Sequence, residues 1–304
     1  MKTKLEQFGT GLYRIPLPVD MEGFAGFIST WVHTAGPTVM VDVGPSATAP
    51  FLLEALAELG VTHPDLILLT HIHIDHAGGI GEVARAFPGS PVVCHPKAIE
   101  HLVDPQRLWE GSAKSLGDVA RRYGPIAPVD AKQVLSVDHL DWPEIITVPT
   151  PGHAPHHYSY LIDDLLFAGE AGGVCITSAD GPEYMRPATP PRFFLETSLD
   201  SIDRLIAQQP QRICYGHVGM RGNAVAMLRV HRDQLLRWNW ILAEWLSKTG
   251  AVQEAELLDA CVAHLLLNDP LMAGFAHLAP EARERERFFL RNSVKGYRQY
   301  LQGT

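Results

Sequence analysis

Short apolar runs, separated by glycine and proline, recur through the first two thirds of the chain. Each run has the length and the β-branched or aromatic content that favour a strand. We predict strands within GLYRIPLPV (11–19), FISTWVHT (27–34), TVMVDVGP (38–45), DLILLT (65–70), PVVCH (91–95), EIITVPT (144–150), YSYLID (158–163), LLFAGE (165–170) and RICYGH (212–217). The run DLILLT is apolar at every position between its ends, which is typical of a strand covered on both faces.

Helical spacing interrupts these strands. Residues 49–60 (APFLLEALAELG) predict an amphipathic helix that ends at Gly60, and AGGIGEVARAF at 77–87 predicts a short helix packed on a sheet. The segment from about 97 to 123 is also helix-like, and we expect it to lie over the mouth of any site at the strand ends. The chain thus shows two successive blocks, each rich in strands and closed by helices.

The pattern changes to a purely helical period from about residue 223. One apolar stripe consists of Leu228, Leu235, Trp238, Leu242 and Trp245, and a second consists of Leu290, Val294, Tyr297 and Leu301. We therefore predict an α/β domain over residues 1–222 and an all-helical extension over residues 223–304 whose stripes serve packing. Trp238, Trp240 and Trp245 cannot all face one side of a helix, and an exposed one would favour a homodimer.

Composition narrows the choice of partners. The chain has 304 residues, 46% of them hydrophobic and 19% charged, which is a globular composition. Its formal net charge of -9 argues against nucleic acid, because affinity for phosphates depends on lysine and arginine. Four scattered cysteines, no run long enough to span a membrane and no signal-peptide pattern favour a protein of the cytoplasm that binds no membrane.

The densest group of titratable side chains follows the DLILLT strand. The sequence THIHIDHAGG at 70–79 places His71, His73, Asp75 and His76 on the loop between that strand and the next helix. Imidazole and carboxylate groups are the ligands that Zn²⁺, Fe²⁺ and Mn²⁺ prefer. Alternate positions of an extended loop point the same way, so His71 and His73 can share one metal. Asp75 and His76, past the bend, can serve a second metal.

Two such metals need ligands from elsewhere in the chain, at other strand ends. His153 follows a predicted strand in TPGHAPHH, Glu170 ends LLFAGE and His217 ends RICYGH. The neighbouring His156 and His157 are expected to support the ligands or to lie at the surface, since a metal held by His71 and His73 needs one further imidazole. For His95, after PVVC, a pocket position and an ordinary loop position are equally open.

The order of THIHIDHAGG, TPGHAPHH, FAGE and YGH resembles the metallo-β-lactamase superfamily over roughly residues 10 to 220. This resemblance implies a four-layered αββα sandwich with the metals at one edge. It implies that His71, His73 and His153 form the first metal site, and that Asp75, His76 and His217 form the second. It also implies that Asp42 and Thr70 support the ligand loop from behind.

Glu170 departs from the resemblance, because the family usually has a bridging aspartate at this position. The additional methylene lengthens the side chain, so the resemblance leaves open the distance between the two metals and the affinity of the second site. The resemblance implies two divalent metal ions, with zinc expected and iron or manganese as alternatives.

The implied chemistry is hydrolysis of a small-molecule ester, thioester or lactone carbonyl by a metal-bound hydroxide, with Asp75 as the catalytic proton relay. The phrases HAGG and TPGHAPHH resemble the glyoxalase II and lactonase branches, so thioesters and lactones are expected first. The alternatives are hydrolysis of a β-lactam or phosphodiester, an oxygenase of thiols or persulfides with a single iron, and a binding module without catalysis.

Substrate contacts are expected from three segments around the metals. These are the MEGFAG loop with Met21, Phe24 and Phe27, the helical segment 97–123, and EYMRPATPPRFF at 183–194. We expect Tyr184 and Arg186 in the last segment to bind a carboxylate or phosphate of the substrate. An ordinary surface loop stiffened by prolines is the alternative for that segment.

Overall fold

Seven strands form the first of two facing β-sheets in the computed structural model, which describes residues 5–177, 181–249 and 253–303. In sheet order, which is also chain order, they are β1 (Glu6–Gln7), β2 (Leu12–Pro16), β3 (Ser29–His33), β4 (Val39–Val41), β5 (Leu66–Leu68), β6 (Val92–Cys94) and β7 (Val134–Ser136). Strands β1 to β4 pair antiparallel, and β4 to β7 pair parallel. Parallel strands end at one edge, so the loops after β4, β5 and β6 meet there.

The second sheet has the order β14-β13-β10-β9-β8. Its strands are β8 (Ile145–Pro149), β9 (Tyr158–Ile162), β10 (Leu165–Gly169), β13 (Arg212–Tyr215) and β14 (Met220–Gly222). Only the β10–β13 pair among these five strands is parallel. A separate antiparallel pair consists of β11 (Val174–Ile176) and β12 (Tyr184–Arg186), and β12 lies within the segment 183–194, for which we had expected a pocket wall or a surface loop.

Helices cover the outer faces of both sheets. They are α1 (Ala49–Glu58), α2 (Ile74–Ala77), α3 (Ile80–Ala86), α4 (Ile99–Val103), α5 (Gln106–Leu116), α6 (Asp118–Tyr123), α7 (Leu195–Ala207), α8 (Ala224–Lys248), α9 (Glu254–Asn268) and α10 (Pro280–Gln302), with 3-10 turns at Ser46–Thr48, Pro96–Ala98, Val137–His139 and Pro270–His277. The helix-like segment 97–123 is therefore three short helices. Helix α7 was not predicted.

Three hydrophobic cores separate the layers. Between the two sheets lie Leu66, Leu68 and Trp31 of the first sheet and Tyr160 and Phe167 of the second. The other two cores lie between each sheet and its helices. All three residues of β5 are fully buried, as the apolar run predicted, because alternate side chains enter different cores. The αββα sandwich is thus confirmed.

The helices after residue 223 belong to the core of the second sheet. Leu228, Leu235 and Trp238 are buried with β10 and β13, as are Leu290 and its neighbours on α10. The predicted extension therefore packs as the fourth layer rather than as a separate appendage.

Trp240 is 65% exposed, and the homodimer stays a prediction. None of the helices in the described ranges is long and apolar enough to cross a membrane.

Candidate metal centre

The metal-ligating side chains predicted from the sequence converge at the edge where β5, β8, β10 and β13 end. Two groups of potential ligand atoms form there, each with its atoms within 4.8 Å of one another. One group contains His71, His73, His153 and Glu170, and the other contains Asp75, His76 and His217. These are the two groups that the resemblance implied, although their roles as ligands stay predictions.

The first group is built around three imidazole nitrogens. His73 Nδ1 lies 3.0 Å from His71 Nε2 and 2.8 Å from His153 Nε2. The remaining nitrogens face acceptors behind the group, since His153 Nδ1 donates to the carbonyl of Ala188 (2.7 Å) and His71 Nδ1 lies 3.0 Å from Thr70 Oγ1. These contacts fix each tautomer so that a lone pair points at the shared centre.

Asp42 supports both groups at once, as expected. Its carboxylate accepts hydrogen bonds from the backbone N–H of Thr70 (2.8 Å), from Thr70 Oγ1 (2.8 Å) and from His76 Nδ1 (2.8 Å). Asp42 reaches this position with a left-handed backbone, at φ 57°. Such a conformation is uncommon outside glycine, and it is found at sites where one side chain must be aimed accurately.

The second group lies on a different local structure from the one predicted. Asp75 and His76 belong to the short helix α2 rather than to an extended loop, and His217 follows β13. His217 Nε2 lies 3.6 Å from Asp75 Oδ2, and His76 Nε2 lies 3.8 Å from the same oxygen. His76 Nε2 is buried and has no hydrogen-bond partner among the described residues. A buried imidazole nitrogen that faces carboxylate oxygens and has no hydrogen-bond partner is in the environment expected of a metal ligand.

Glu170 faces both groups. Its Oε2 lies 2.7 Å from His153 Nε2, and its Oε1 lies 3.3 Å from His217 Nε2. The longer arm of glutamate therefore spans the two groups with one oxygen toward each. Behind it, the backbone N–H of Glu170 donates to His157 Nε2 (3.2 Å), which places buried His157 as a support of the centre. Gly169 has φ 54°, and a Cβ there would lie 2.4 Å from His157 Nε2, so this position needs glycine.

Burial and mutual charge set the protonation of the centre. Burial, together with neighbouring imidazoles, lowers the pKa of His71 and of His73 well below the ordinary value, so both are neutral at pH 7. Burial alone would also lower the pKa of His76, but the carboxylates of Asp75 and Asp42 raise it to about 9. Burial raises the pKa of Glu170, yet the nearby His153 and His217 hold it well below its usual range.

A stacked pair of rings holds His217 from the side. The ring of Phe27 is parallel to the His217 imidazole, with an interplanar angle of 5° and centroids 4.3 Å apart. On the Phe27 ring lies the guanidinium of Arg285 from α10, 3.8 Å from the centroid. Val218 N also donates to the carbonyl of Phe27 (3.1 Å), so the MEGFAG loop and the end of β13 are tied together.

A cavity of about 530 Å³ opens above the two groups. Its floor includes His73, Asp75, His153, Glu170 and His217, and its walls come from the β5–α2 loop, α5, α6, the segment after β12, and α10. The helical segment 97–123 thus covers the site, as predicted. His156 lines this cavity, whereas His95 does not and instead accepts a hydrogen bond from the backbone N–H of Lys97 (2.9 Å).

Two of the three predicted substrate contacts are corrected by the structure. Tyr184 is fully buried on β12, against Phe275, and Phe24 is buried against Phe27 and Tyr123, so neither side chain lines the cavity. The C-terminal helices cover both side chains, and the sequences around Tyr184 and Phe24 gave no indication of this.

Arg186 does line the cavity, but it is only 2% exposed and its Nε donates to the carboxylate of Glu286. Sequence reasoning missed Glu286. Glu286 lies one helical turn before Leu290, on the apolar stripe of α10. An acidic residue on a stripe that is otherwise buried needs a buried cation as its partner, and this was the signal available in the sequence.

The comparisons with known proteins agree with this fold. The sequence profile of the metallo-beta-lactamase superfamily matches residues 25–217. The metallo-beta-lactamase fold-containing protein ST1585 of Sulfurisphaera tokodaii is 31% identical over 238 residues, which cover 74% of this chain and 84% of that protein. The crystal structure of ST1585 from Sulfolobus tokodaii superposes with a TM-score of 0.69 at 25% identity, over 95% of this chain and 98% of that one.

More distant relatives carry names that refer to activity. Hydroxyacylglutathione hydrolase from Xylella fastidiosa is 30% identical over 205 residues, so the match covers 67% of this chain but only 64% of that enzyme. The BLEG-1 B3 metallo-beta-lactamase superposes with a TM-score of 0.52 at 26% identity, over 74% of this chain and 99% of that one. On the profile match and the similarity to ST1585, this chain belongs to the metallo-beta-lactamase superfamily.

Proposed function

We propose that this protein is a metal-dependent hydrolase that cleaves an ester, thioester or lactone bond of a small molecule. The observation that carries the proposal is the pair of ligand groups at the cavity floor, with Glu170 facing both. The similarity to hydroxyacylglutathione hydrolases supports thioesters among the substrates to be tried first.

The residues fit two divalent ions, one in each group, and zinc suits the imidazole-rich donor set. His71, His73 and His153 would hold the first ion, Asp75, His76 and His217 the second, and Glu170 would reach both. Ions bound there would lower the pKa of a coordinated water and polarise the carbonyl of the substrate.

The remaining work belongs to side chains of this protein. Asp42 and Thr70 hold the Nδ1 atoms of His76 and His71, so that the Nε2 atom of each imidazole faces the centre. Asp75 Oδ2 lies at the cavity floor beside His217 Nε2, where it can accept a proton from the attacking water and return it to the leaving group. The helices α5 and α6 shield this floor from bulk water.

The proposal is tested by metal analysis followed by a hydrolysis screen. Purified protein is expected to contain two equivalents of zinc or manganese per chain and to hydrolyse members of a panel of thioesters, lactones, esters, β-lactams and phosphodiesters. Removal of metal with a chelator should abolish turnover, and returning the metal should restore it.

A matched pair of histidine variants separates loss of the metal site from the general effects of replacing a histidine. His153→Gln should lose metal and turnover, whereas His139→Gln, at an exposed position, should retain both. One equivalent of iron with oxygen uptake on thiols or persulfides would replace the proposal by an oxygenase. Full metal occupancy without turnover of any panel member would replace it by a binding module.

A further inference from the structure

Helix α5 presents apolar side chains to the cavity that the neighbouring core covers only in part. Every residue of this helix is at least partly exposed, including Leu108 and Leu116, and both leucines line the cavity. Val119 at the start of α6 continues the same wall. An apolar helix face is normally buried against a partner, so a face left over a cavity indicates an apolar occupant.

Small residues line the space along α5 between those leucines. Gly111, Ser112 and Ser115 lie between Leu108 and Leu116 along the helix and also line the cavity. Their small side chains leave room along the helix axis. The opposite wall is formed by Phe289, Pro190 and Pro191, and Ile72 and Ile74 continue the apolar surface to the floor.

The charged groups in the walls already have counter-ions. Arg186 donates to Glu286 and, through one terminal nitrogen, to the carbonyl of Pro187 (3.2 Å). Arg107 of α5 also lines the cavity, with 82% of its side chain exposed, and lies 3.8 Å from the carboxylate of Glu100. An anionic substrate group at the inner wall would have to displace Glu286, which is fully buried, from Arg186.

These observations concern the substrate of the proposed hydrolase. We infer that the acyl part of the substrate is an uncharged, extended alkyl chain that lies along α5, between Leu108 and Leu116, with its carbonyl at the metal floor. The inference rests on the proposed function for the position of the carbonyl. The position of the alkyl chain is inferred from the residues that line the cavity. Such a substrate differs in its charge from a glutathione conjugate, whose carrier is an anionic peptide.

The test uses two series of compounds on the metal-loaded protein. The first series consists of N-acetylcysteamine thioesters with acyl chains of increasing length, from acetyl to decanoyl. The second consists of the matching S-alkyl thioethers, which cannot be hydrolysed and report binding by calorimetry. We expect kcat/KM and the association constant to rise about threefold to fourfold for each methylene buried, until the cavity is filled.

Two variants on α5 separate its inner face from its outer face. Leu116→Gln should flatten the dependence on chain length in both series. Lys114→Gln, at an exposed position of the same helix, should leave the dependence intact. Circular dichroism and metal content of each variant establish that the fold and the site are retained.

The two readouts distinguish the two ways of failing. Binding that increases with chain length and is lost in Leu116→Gln, without hydrolysis of any thioester, would support the alkyl site and overturn the proposed function. Hydrolysis and binding that are both independent of chain length would overturn the alkyl site and leave the hydrolase in place.

Discussion

Glu170 shows how a single methylene affects the centre. Its two carboxylate oxygens lie beside different ligand groups, 2.7 Å from His153 Nε2 and 3.3 Å from His217 Nε2. Aspartate at this position would have a shorter arm from the same strand end. The glutamate is therefore matched to the spacing of the two groups in this chain.

Substitution of Glu170 should weaken metal binding in a graded way. We expect Glu170→Gln to lose at least about tenfold in affinity for the second metal equivalent, because it removes the charge that faces both groups. Glu170→Asp keeps the charge but shortens the reach, and it should fall between Gln and the wild type. Metal titration after dialysis measures this order, and two equivalents bound by Glu170→Gln with wild-type affinity would contradict it.

Phe27 should affect the metal centre although it offers no ligand atom. Phe27→Leu keeps an apolar side chain but removes the ring stacked on His217, so the imidazole loses its orientation. We expect about a tenfold loss of affinity at the group that contains His217. The absorption spectrum of the Co²⁺-substituted protein and metal titration both report this change.

Phe8→Leu is the control for that variant, because Phe8 packs on Trp31, with ring centroids 5.5 Å apart. It removes an aromatic contact of similar kind from another part of the sandwich. Equal metal affinity in Phe27→Leu and Phe8→Leu would show that the stacking on His217 does not orient it.

At the residue scale, a cluster of side chains that are close together in the chain is easier to recognise from the sequence than a pair of side chains that are far apart in it. His71, His73, Asp75 and His76 were recognisable because they are close together in the chain and follow an apolar strand. The pairing of Arg186 with Glu286 was not, since 100 positions separate the two residues and only the packing of α10 brings them together.

At the scale of elements, α8 carries a buried histidine that links stability to pH. Burial lowers the pKa of His231 to about 4, whereas the unfolded chain has a value near 6.5. Between these two values the unfolded state binds more protons than the folded state does. The free energy of unfolding should therefore fall as the pH falls from about 6.5 to 4, by up to about 3 kcal/mol.

Replacing the histidine should reduce that slope. Urea unfolding of the metal-free protein at pH 7 and at pH 4.5 should show a smaller loss of stability for His231→Gln than for the wild type. His139→Gln, which changes an exposed histidine, should keep the wild-type slope. Identical slopes in all three proteins would mean that His231 is not the titrating group.

The elements themselves were predictable where their pattern is local. The strand β5 and the helix α1 were expected from an apolar run and from helical spacing that ends in glycine. Helix α7 and the β11–β12 pair were missed, and for the segment that contains β12 we had expected a pocket wall or a surface loop stiffened by prolines. All three residues of β12 are buried, and α10 packs on the segment after it, so tertiary packing fixes this strand.

At the scale of the whole molecule, the metal centre joins the two halves of the sandwich. His71 and His76 come from the first half, and His153, Glu170 and His217 come from the second. Ions that bind ligands from both halves stabilise the folded state and not the unfolded one. The centre should therefore contribute to the stability of the entire fold.

Removal of metal should accordingly lower the melting temperature. At a free metal concentration of 1,000 Kd the stabilisation is about 4 kcal/mol, which for a chain of this size corresponds to a Tm shift of about 6 °C. Thermal scans with and without chelator measure the shift, and His153→Gln should show little of it. An unchanged Tm after metal removal, verified by elemental analysis, would contradict the prediction.

Helix α10 completes the cavity from the far end of the chain. Every candidate ligand, up to His217, precedes it, whereas Phe289 in the wall and Arg285 on Phe27 belong to α10. During synthesis on the ribosome, the ligands emerge before the wall that will cover them, since chains are made from the N-terminus. The growing chain thus exposes its ligands to metal before the substrate cavity exists, so loading of metal can precede the closing of the pocket.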